Sequence, residues 1–237
     1  MATWVAHLRV AEKVLNSVEG LDEIPFIVGN IGPDSGIPNE DWSNFDPPKK
    51  ITHWLDEFNK TNAGNFFKSY IKDNKNIFGS NSNSNNLINI IKSEESYSFK
   101  LGYYVHLLTD MEWSKMINAG DYPYKEVLKK DPGFIWTIKK DWYGLDFLYL
   151  EKHPKFIFNT IFKEISDVPN YLDYFPKDAF TKQVKYITSY YLGKNEETKE
   201  NFKYLTEVEM NEFIDKTSMK IIEKLLNVTE LKKKKNK

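Results

Sequence analysis

The chain contains no cysteine at all, and this absence limits the chemistry that it can perform. Without cysteine there are no disulfides and no thiolate ligands, so histidine, aspartate and glutamate are the only strong ligands left for a metal ion. Any metal site in this protein must therefore be built from nitrogen and oxygen atoms.

The sequence also lacks a large excess of charge of either sign. The 33 lysines and arginines oppose 34 aspartates and glutamates, for a formal net charge of -1. Such a chain has no global basic field of the kind that draws a protein onto nucleic acid or an anionic membrane. The one strong charge run is the tail at 231–237, which is interpreted as a solvated end rather than as a lipid or nucleic-acid site.

Two kinds of hydrophobic segment are missing as well. No window of about 18 residues is both apolar and uncharged, which argues against a transmembrane helix. The opening residues, MATWVAH, lack the basic start and the long apolar run of a secretory signal. We therefore expect no transmembrane segment and a cytoplasmic location.

Amphipathic patterning at the helical period is abundant. With 41% hydrophobic and 15% aromatic residues, the 237 residues suffice for one substantial core, so we predict a single domain over 1–237. No segment shows sustained strand alternation or a hairpin signal, so the predicted fold is all-α with about seven helices. The metal-site half is predicted at about 1–115, the C-terminal helices at about 134–228 and the basic tail at 231–237. The predicted helices cover 3–16, a segment beginning at 51, a segment beginning at 93, 134–153, 155–165, 177–192 and 206–226; the polar stretch 79–86 is predicted to be a surface loop.

One predicted helix face organises the rest of the argument. Six residues spaced three or four positions apart share this face: Phe99, Tyr103, His106, Asp110, Trp113 and Ile117. Because the face is mostly aromatic and apolar, it should point into the core. A carboxylate four residues after an imidazole on a buried face must be paired or must ligate a metal, since an uncompensated buried charge is strongly destabilising.

Three of the four histidines, His7, His53 and His106, lie on predicted apolar helix faces. A single histidine in such a place is more often a core imidazole bonded to the backbone. Here, however, Asp34 lies on a Gly-Pro turn directly behind a buried segment, and Asp110 follows His106 by four residues. In a chain without cysteine, this combination favours a metal site over a buried polar network.

The order and local sequence of these residues resemble the zinc-dependent phospholipase C family and the related zinc-dependent single-strand nucleases. The likeness covers residues 1 to about 115 and rests on the segments GNIGPD, THW and GYYVHLLTD, preceded by a histidine on the first helix. The resemblance implies an all-helical fold that holds zinc ions in a cleft among helices and cleaves phosphodiester bonds.

Position by position, the resemblance implies that Asp34, His53, His106 and Asp110 hold one metal ion. Asp110 would bridge to a second ion that His7 also binds, and Asp34 would orient or deprotonate the attacking water. Two such cations lower the pKa of a shared water from ~15.7 toward ~7 and stabilise the charge that develops on the phosphoryl group. The expected cofactor is therefore one or two zinc ions.

The chain departs from the family pattern at a further metal site. The family uses a histidine shortly after the aspartate of the HLLTD motif, and later a histidine and a carboxylate on one helix, whereas no histidine lies between His106 and His153 here. Asp141, in an aromatic context, is the candidate replacement ligand, with a capping or surface role as the competing interpretation. Glu112 and Asp146 are further oxygen donors, and His153 is expected on the surface.

The family also uses its mature amino terminus as a ligand near the first histidine. If Met1 is removed, the amine of Ala2 would lie five residues before His7 and could bind the same ion. Aromatic residues around the ligands are predicted to be mostly core, with a minority at the cleft mouth that could stack on a base or contact a lipid.

The leading hypothesis is a metal-dependent hydrolase that cleaves the phosphodiester of a small molecule or a phospholipid, with nucleic acid as a less favoured substrate. The alternative is a non-catalytic helical binding or scaffold protein that retains a partial or structural metal site. Other all-α metal phosphohydrolases carry an adjacent His-Asp pair, which this chain lacks. The exact substrate and the oligomeric state stay open.

Overall fold

The computed structural model describes residues 1–41, 43–72, 87–119, 123–193, 201–229, 231 and 234, and only the backbone of 87–93. The polar stretch predicted as a loop at 79–86 and most of the basic tail at 231–237 lie outside the described residues. The predicted single domain over 1–237 stays a prediction.

The described residues are predominantly helical, and the all-α prediction is confirmed. They form ten α-helices: α1 Trp4–Ser17, α2 Glu23–Ile31, α3 Lys49–Thr52, α4 Ala63–Tyr70, α5 Leu87–Ile117, α6 Lys125–Lys130, α7 Ile135–Lys152, α8 Ile157–Thr160, α9 Ala179–Gly193 and α10 Glu207–Val228. The described residues also contain two short strands, β1 Ile37–Pro38 and β2 Phe45–Asp46, paired antiparallel. Within the described parts of the chain, no helix combines the length and the apolar character needed to cross a bilayer.

Two predicted helix starts are confirmed by their capping bonds. Thr3 caps α1, because its hydroxyl oxygen accepts a hydrogen bond from the backbone N–H of Ala6 at 3.3 Å. Thr206 and Glu209 form a complete capping box at the start of α10. At both places the local sequence signal and the tertiary structure agree.

Three other predicted helix bounds are wrong. Helix α5 is already helical from Leu87, so the Ser-Glu-Glu signal at 93 is internal; serine and glutamate are tolerated inside helices and do not by themselves end one. The helix predicted over 155–165 is only the single turn α8 and a 3-10 turn at Phe162–Glu164, because Ile161 leaves the helical region at φ -129°. The helix predicted from residue 51 ends at Thr52.

Helices α2 and α5 pack against each other most extensively, with their backbones in direct contact. A Cβ atom at Gly29 would lie 2.0 Å from the carbonyl oxygen of Phe99, and one at Gly102 would lie 2.0 Å from the carbonyl oxygen of Phe26. Both distances are impossible for real atoms, so this crossing requires glycine at both positions. The close approach places the end of α2 against the middle of α5, where the candidate ligands lie.

The face of α5 that was predicted to point inward does so. His106 and Trp113 are fully buried and Asp110 is 2% exposed, while Ile117 at the end of the helix is only partly buried. Helix α1 packs against α2, α5 and α10. The amino-terminal helix therefore brings its own buried side chains, including His7, against the same face of α5.

Candidate metal centre

Five side chains from four elements converge beside α5. His7 comes from α1, Asp34 from a 3-10 turn at Gly32–Asp34, His53 from the end of α3, and His106 and Asp110 from α5. We call these five residues the histidine cluster. One ligand atom from each of His7, His106 and Asp110 lies within 4.8 Å of the others, and the same holds for Asp34, His53 and His106.

The two carboxylate oxygens of Asp110 face different histidines. Its Oδ1 lies 3.4 Å from Nε2 of His7, whereas its Oδ2 lies 3.5 Å from Nε2 of His106 and 3.6 Å from Nε2 of His53. Nε2 of His53 is also 3.3 Å from Oδ1 of Asp34. Asp110 therefore stands between His7 on one side and His53 with His106 on the other.

Four of the converging atoms have no hydrogen-bond partner among the described residues: Nε2 of His7, His53 and His106, and Oδ2 of Asp110. Hydrogen bonds from nitrogen to oxygen are typically ~2.7–3.2 Å long, and each buried polar atom left without one is destabilising by ~1–3 kcal/mol. An arrangement that leaves four such atoms facing one another is therefore unfavourable unless something else binds them.

A metal ion fits these separations. Nitrogen and oxygen ligands bind zinc at ~2.0–2.2 Å, so two ligands of one tetrahedral ion lie ~3.3–3.6 Å apart. The imidazole-to-carboxylate distances in the histidine cluster run from 3.3 to 3.6 Å. The buried groups His7/His106/Asp110 and Asp34/His53/His106 could thus each hold a metal ion.

The ring of His106 is oriented by the backbone of α2. Its Nδ1 lies 2.7 Å from the carbonyl oxygen of Asn30, so Nδ1–H is the donor and the lone pair of Nε2 points into the cluster. The ring of His7 stacks on that of His106 with centroids 3.7 Å apart and an angle of 3°. The close crossing of α2 and α5 therefore orients one ligand directly and a second by stacking.

His53 is positioned by the abrupt end of α3 rather than by a helix face, which corrects the sequence interpretation. His53 follows the last residue of α3, and Trp54 then adopts a φ of 52°, the left-handed conformation in which many helices end. The hydroxyl of Tyr103 donates to the carbonyl oxygen of Thr52 and so ties this end of α3 to α5. Thr52 Oγ1 is also 3.0 Å from Nδ1 of His53.

The ionisable groups of the cluster shift in different directions. Burial lowers the pKa of His7 to about 4, and the nearby charge of His106 acts in the same direction. Burial opposes ionisation of Asp34 and Asp110, but contact with His53 lowers the pKa of Asp34 and contact with His106 lowers that of Asp110, below the ordinary value in both cases. Burial also opposes the charge of His106, but contact with Asp110 raises its pKa. Because a cation binds neutral imidazoles and ionised carboxylates, metal binding here would compete with a proton at His106.

Asp141 does not join the histidine cluster, and its assignment as a replacement ligand is corrected. Its Oδ2 accepts hydrogen bonds from the backbone N–H groups of Lys203 and Tyr204, both at 2.7 Å. The carboxylate therefore anchors the segment that precedes α10. This agrees with the competing capping interpretation, in which the side chain satisfies backbone donors.

The remaining candidate donors are also engaged elsewhere. Asp146 accepts hydrogen bonds from the hydroxyls of Thr3 at 2.7 Å and Tyr191 at 2.6 Å, and burial raises its pKa to about 7. Glu112 pairs with Lys115 and Lys220. His153 is exposed, as predicted, and its Nδ1 lies 2.9 Å from the carbonyl oxygen of Tyr149. Apart from the two groups in the histidine cluster, the described residues form no set of three or more such ligands.

Three cavities border the cluster, and Met1 lines all of them. The aromatic cavity, about 370 Å³, is lined by Asp34 together with Trp4, Tyr143 and Tyr186. The polar cavity, about 690 Å³, contains Asp110, and a small cavity of about 90 Å³ contains Asp34 and His53. Asp34, His53 and Asp110 therefore border open space on more than one side of the cluster, whereas His7 and His106 are fully buried.

Sequence reasoning missed several residues that organise the site. Asn30 acts through its carbonyl oxygen, which every residue possesses, so no sequence signal marks it. Trp4 donates from Nε1 to Oδ2 of Asp34 at 3.0 Å, and its position three residues before His7 on one helix face was an available signal. Lys49 and Lys139 line the cavities but lie in segments that show no motif.

The backbone nitrogen of Ala2 lies 3.1 Å from Oδ1 of Asp110. This is the side of Asp110 that faces His7. A free amine at Ala2 would therefore begin within reach of the same atoms, and its role as a ligand stays a prediction.

No family model matches the chain, and neither a curated protein nor a solved structure is significantly similar to it. The resemblance to the zinc-dependent phospholipase C family rests on the residues of this sequence alone.

Proposed function

We propose that the chain is a zinc-dependent hydrolase of phosphodiesters, similar in mechanism to the phospholipase C family. One observation carries this proposal: the Nε2 atoms of His7, His53 and His106 lie 3.4–3.6 Å from the carboxylate oxygens of Asp110. These three nitrogens and Oδ2 of Asp110 are buried and have no hydrogen-bond partner among the described residues. An all-nitrogen-and-oxygen donor set with several imidazoles is typical of zinc.

In this proposal, Asp34, His53, His106 and Asp110 would hold one ion. His7 would hold a second ion, again with Asp110. The division of the two Asp110 oxygens between opposite sides of the cluster supports the bridging role. Asn30 keeps the coordinating nitrogen of His106 directed at the site.

Bound divalent cations activate water at neutral pH and stabilise the charge on a phosphoryl group. The chain's own contribution lies in orientation. Asp34 borders the aromatic cavity and the small cavity and accepts a hydrogen bond from Trp4, so a carboxylate oxygen is held in place at the mouth of the site. The pKa of the Asp34 carboxyl lies below its ordinary value, so Asp34 is a weak base. It is therefore better suited to orient the attacking water than to accept a proton from it.

Metal content and turnover measured on the same preparation test the proposal. We expect two zinc ions per chain by elemental analysis and hydrolysis of bis(p-nitrophenyl) phosphate, lost on chelation and restored by zinc. Asp34→Asn should lower kcat ~100-fold or more, while Asp41→Asn, an exposed change on the neighbouring loop, should not. A chain that holds no metal and turns over no diester would refute the proposal.

The alternative, a non-catalytic helical protein with a structural metal site, is favoured by one observation. The carboxylates that could complete a third site, Asp141, Asp146 and Glu112, are all engaged with donors of the chain itself. A stoichiometry of one ion per chain without turnover would support this alternative. A small diester or a phospholipid as the substrate, nucleic acid as a less favoured one, and a cytoplasmic location all stay predictions.

We further propose that the amine of Ala2 joins the second ion where Met1 has been removed. The 3.1 Å separation between its nitrogen and Asp110 supports this role. Intact-mass measurement of the natural protein is decisive, because a retained Met1 or a blocked amine leaves no free amine at this position.

A further inference from the structure

We propose that Lys49 and Lys139 bind substrate phosphate oxygens on two sides of the histidine cluster and so select phosphate esters that carry more than one negative charge. This inference rests on the proposed hydrolase function and names its substrate class. Zwitterionic diesters, such as those with a quaternary ammonium headgroup, should be poor substrates.

The two lysines approach the site from different elements. Lys49 begins α3, four residues before His53, and lines both the polar cavity with Asp110 and the small cavity with Asp34. Lys139 belongs to α7 and lines the aromatic cavity, again with Asp34. A substrate held at the cluster would therefore have one ammonium group on each side.

The electrostatic coupling between these groups agrees with this placement. Burial lowers the pKa of Lys139, the charge of Lys49 lowers it further, and Asp34 raises it. Lys139 is thus close enough to interact electrostatically with both Lys49 and Asp34. Neither forms an ion pair with a carboxylate in the described part of the chain, in contrast to Lys115 and Lys220, which both pair with Glu112.

The net charge of the proposed metal-loaded site indicates which substrates it would favour. Two divalent cations would exceed the charge of Asp34 and Asp110 by two, and the two lysines add two more positive charges. A simple phosphodiester supplies one negative charge and leaves most of this excess uncompensated. A second phosphate group, with about two further negative charges, would compensate most of it, whereas a trimethylammonium group would be repelled by the lysines.

The polar cavity offers room for that second phosphate. Its volume is about 690 Å³, and Lys49, Lys60, Asn59 and Asn118 supply hydrogen-bond donors along its wall. The aromatic cavity, on the other side of the cluster, suits an apolar or ring-shaped substituent through Trp4 and Tyr143. The site thus fits an ester with an uncharged group on one side and an additional phosphate on the other.

The test compares substrates that differ by one phosphate, using the zinc-loaded full chain. Thymidine dinucleotide is compared with its 5′-phosphorylated form, and short-chain phosphatidylinositol with short-chain phosphatidylinositol 4-phosphate. In whichever pair is hydrolysed, we expect kcat/KM to be at least about tenfold higher for the more highly charged member, as for one additional charge-assisted hydrogen bond. The pair that is hydrolysed identifies a nucleotide or a lipid headgroup as the source of the phosphates.

Matched lysine variants test whether Lys49 and Lys139 cause the preference for the more highly charged substrate. Lys49→Met and Lys139→Met should each reduce the preference, and the double variant should abolish it with zinc content unchanged. Lys50→Met and Lys140→Met lie one position along the chain and line none of the three cavities, so these controls should leave the preference intact. Equal rates on both members of a pair, or a preference that survives in the double variant, would overturn the proposal.

A binding measurement separates this proposal from the hydrolase proposal. Calorimetry with zinc-loaded protein should show pyrophosphate binding about tenfold more tightly than orthophosphate, with the difference lost in the double variant. If this holds but no diester is hydrolysed, the lysine site stands and the enzymatic function fails. If diesters are hydrolysed but pyrophosphate and orthophosphate bind equally, the lysine proposal fails alone.

Discussion

Asp110 and Asp146 are both buried carboxylates on long helices, but they face opposite kinds of atoms. The oxygens of Asp146 receive hydrogen bonds from the hydroxyls of Thr3 and Tyr191. The Oδ2 of Asp110 instead faces the Nε2 atoms of His106 and His53, at 3.5 and 3.6 Å respectively, and has no hydrogen-bond partner among the described residues. In the first arrangement, donors of the chain itself satisfy the carboxylate, whereas in the second Oδ2 has no hydrogen-bond partner among the described residues and could bind a cation.

The presence or absence of hydrogen-bond donors around a buried carboxylate distinguishes a structural carboxylate from a candidate ligand better than its residue type does. Asp141 and Asp146, like Asp110, have aromatic neighbours in the sequence, and all three carboxylates are buried. What distinguishes them is whether donors surround the oxygens, since a satisfied buried carboxylate needs no ion. The four predictions below challenge this distinction, beginning with the largest expected effect.

Replacing His106 with alanine should remove a ligand and deprive the buried Asp110 of one of the imidazoles that face it. We expect loss of bound metal and a decrease of ~5 kcal/mol in the free energy of unfolding. His153→Ala, a change at the exposed histidine, is the control and should alter neither quantity. Elemental analysis and thermal unfolding measure both effects, and wild-type metal content and melting temperature in His106→Ala would refute the ligand assignment.

Asp146→Asn should change how stability depends on pH. The folded protein retains the Asp146 proton up to a pH of about 7, whereas the unfolded chain releases it near 3.8. The stability that this proton confers is therefore complete below 3.8 and is lost as the pH rises through about 7, a total of up to ~4 kcal/mol.

In Asp146→Asn this loss should disappear, so stability should rise more steeply between pH 4 and 7 than in the wild type. His7 acts in the opposite direction in both proteins, because its folded pKa of about 4 lies below the ordinary 6.5 and its stabilising contribution is lost as the pH falls. Its contribution cancels in the comparison. Identical pH profiles from urea unfolding would contradict the assigned protonation of Asp146.

Gly102→Ala should force α2 and α5 apart, because the new Cβ would lie 2.0 Å from the carbonyl oxygen of Phe26. We expect a loss of ~3 kcal/mol in stability and weaker metal binding, since Asn30 would move away from His106. Gly193→Ala, where nothing lies within 4 Å of the added atom, is the matched control. Metal competition and urea unfolding give the two readouts, and an unchanged metal affinity would show that the crossing does not orient the ligands.

Asp141→Ala should lower stability without affecting the metal. Two backbone N–H groups, those of Lys203 and Tyr204, lose their acceptor, for an expected loss of ~2 kcal/mol. Asp215→Ala removes only an exposed pair with Lys13 and should change stability by less than ~1 kcal/mol. Loss of bound metal in Asp141→Ala would restore the sequence-based assignment of this residue as a ligand.

Local patterns in the sequence were enough to predict the helical class, the helix starts at Thr3 and Thr206, and the inward face of α5. Each of these depends on residues within a few positions of one another, so spacing alone carries the information. The same patterns misplaced the start of α5 and the length of α3. Those bounds depend on packing against other helices and on the backbone conformation of Trp54, which no local pattern encodes.

The identity of the five clustered side chains could be proposed from their order along the chain. The roles of Asp141 and Asp146 could not, because donors that lie more than 40 positions away along the chain satisfy their carboxylates. Nor does any motif mark Asn30, Lys49 or Lys139. Sequence spacing specifies which side chains share one face of a helix. Only the packing of α1, α2, α3 and α5 decides which acceptor atoms receive a hydrogen bond and which face other acceptor atoms, as ligands of a metal ion would.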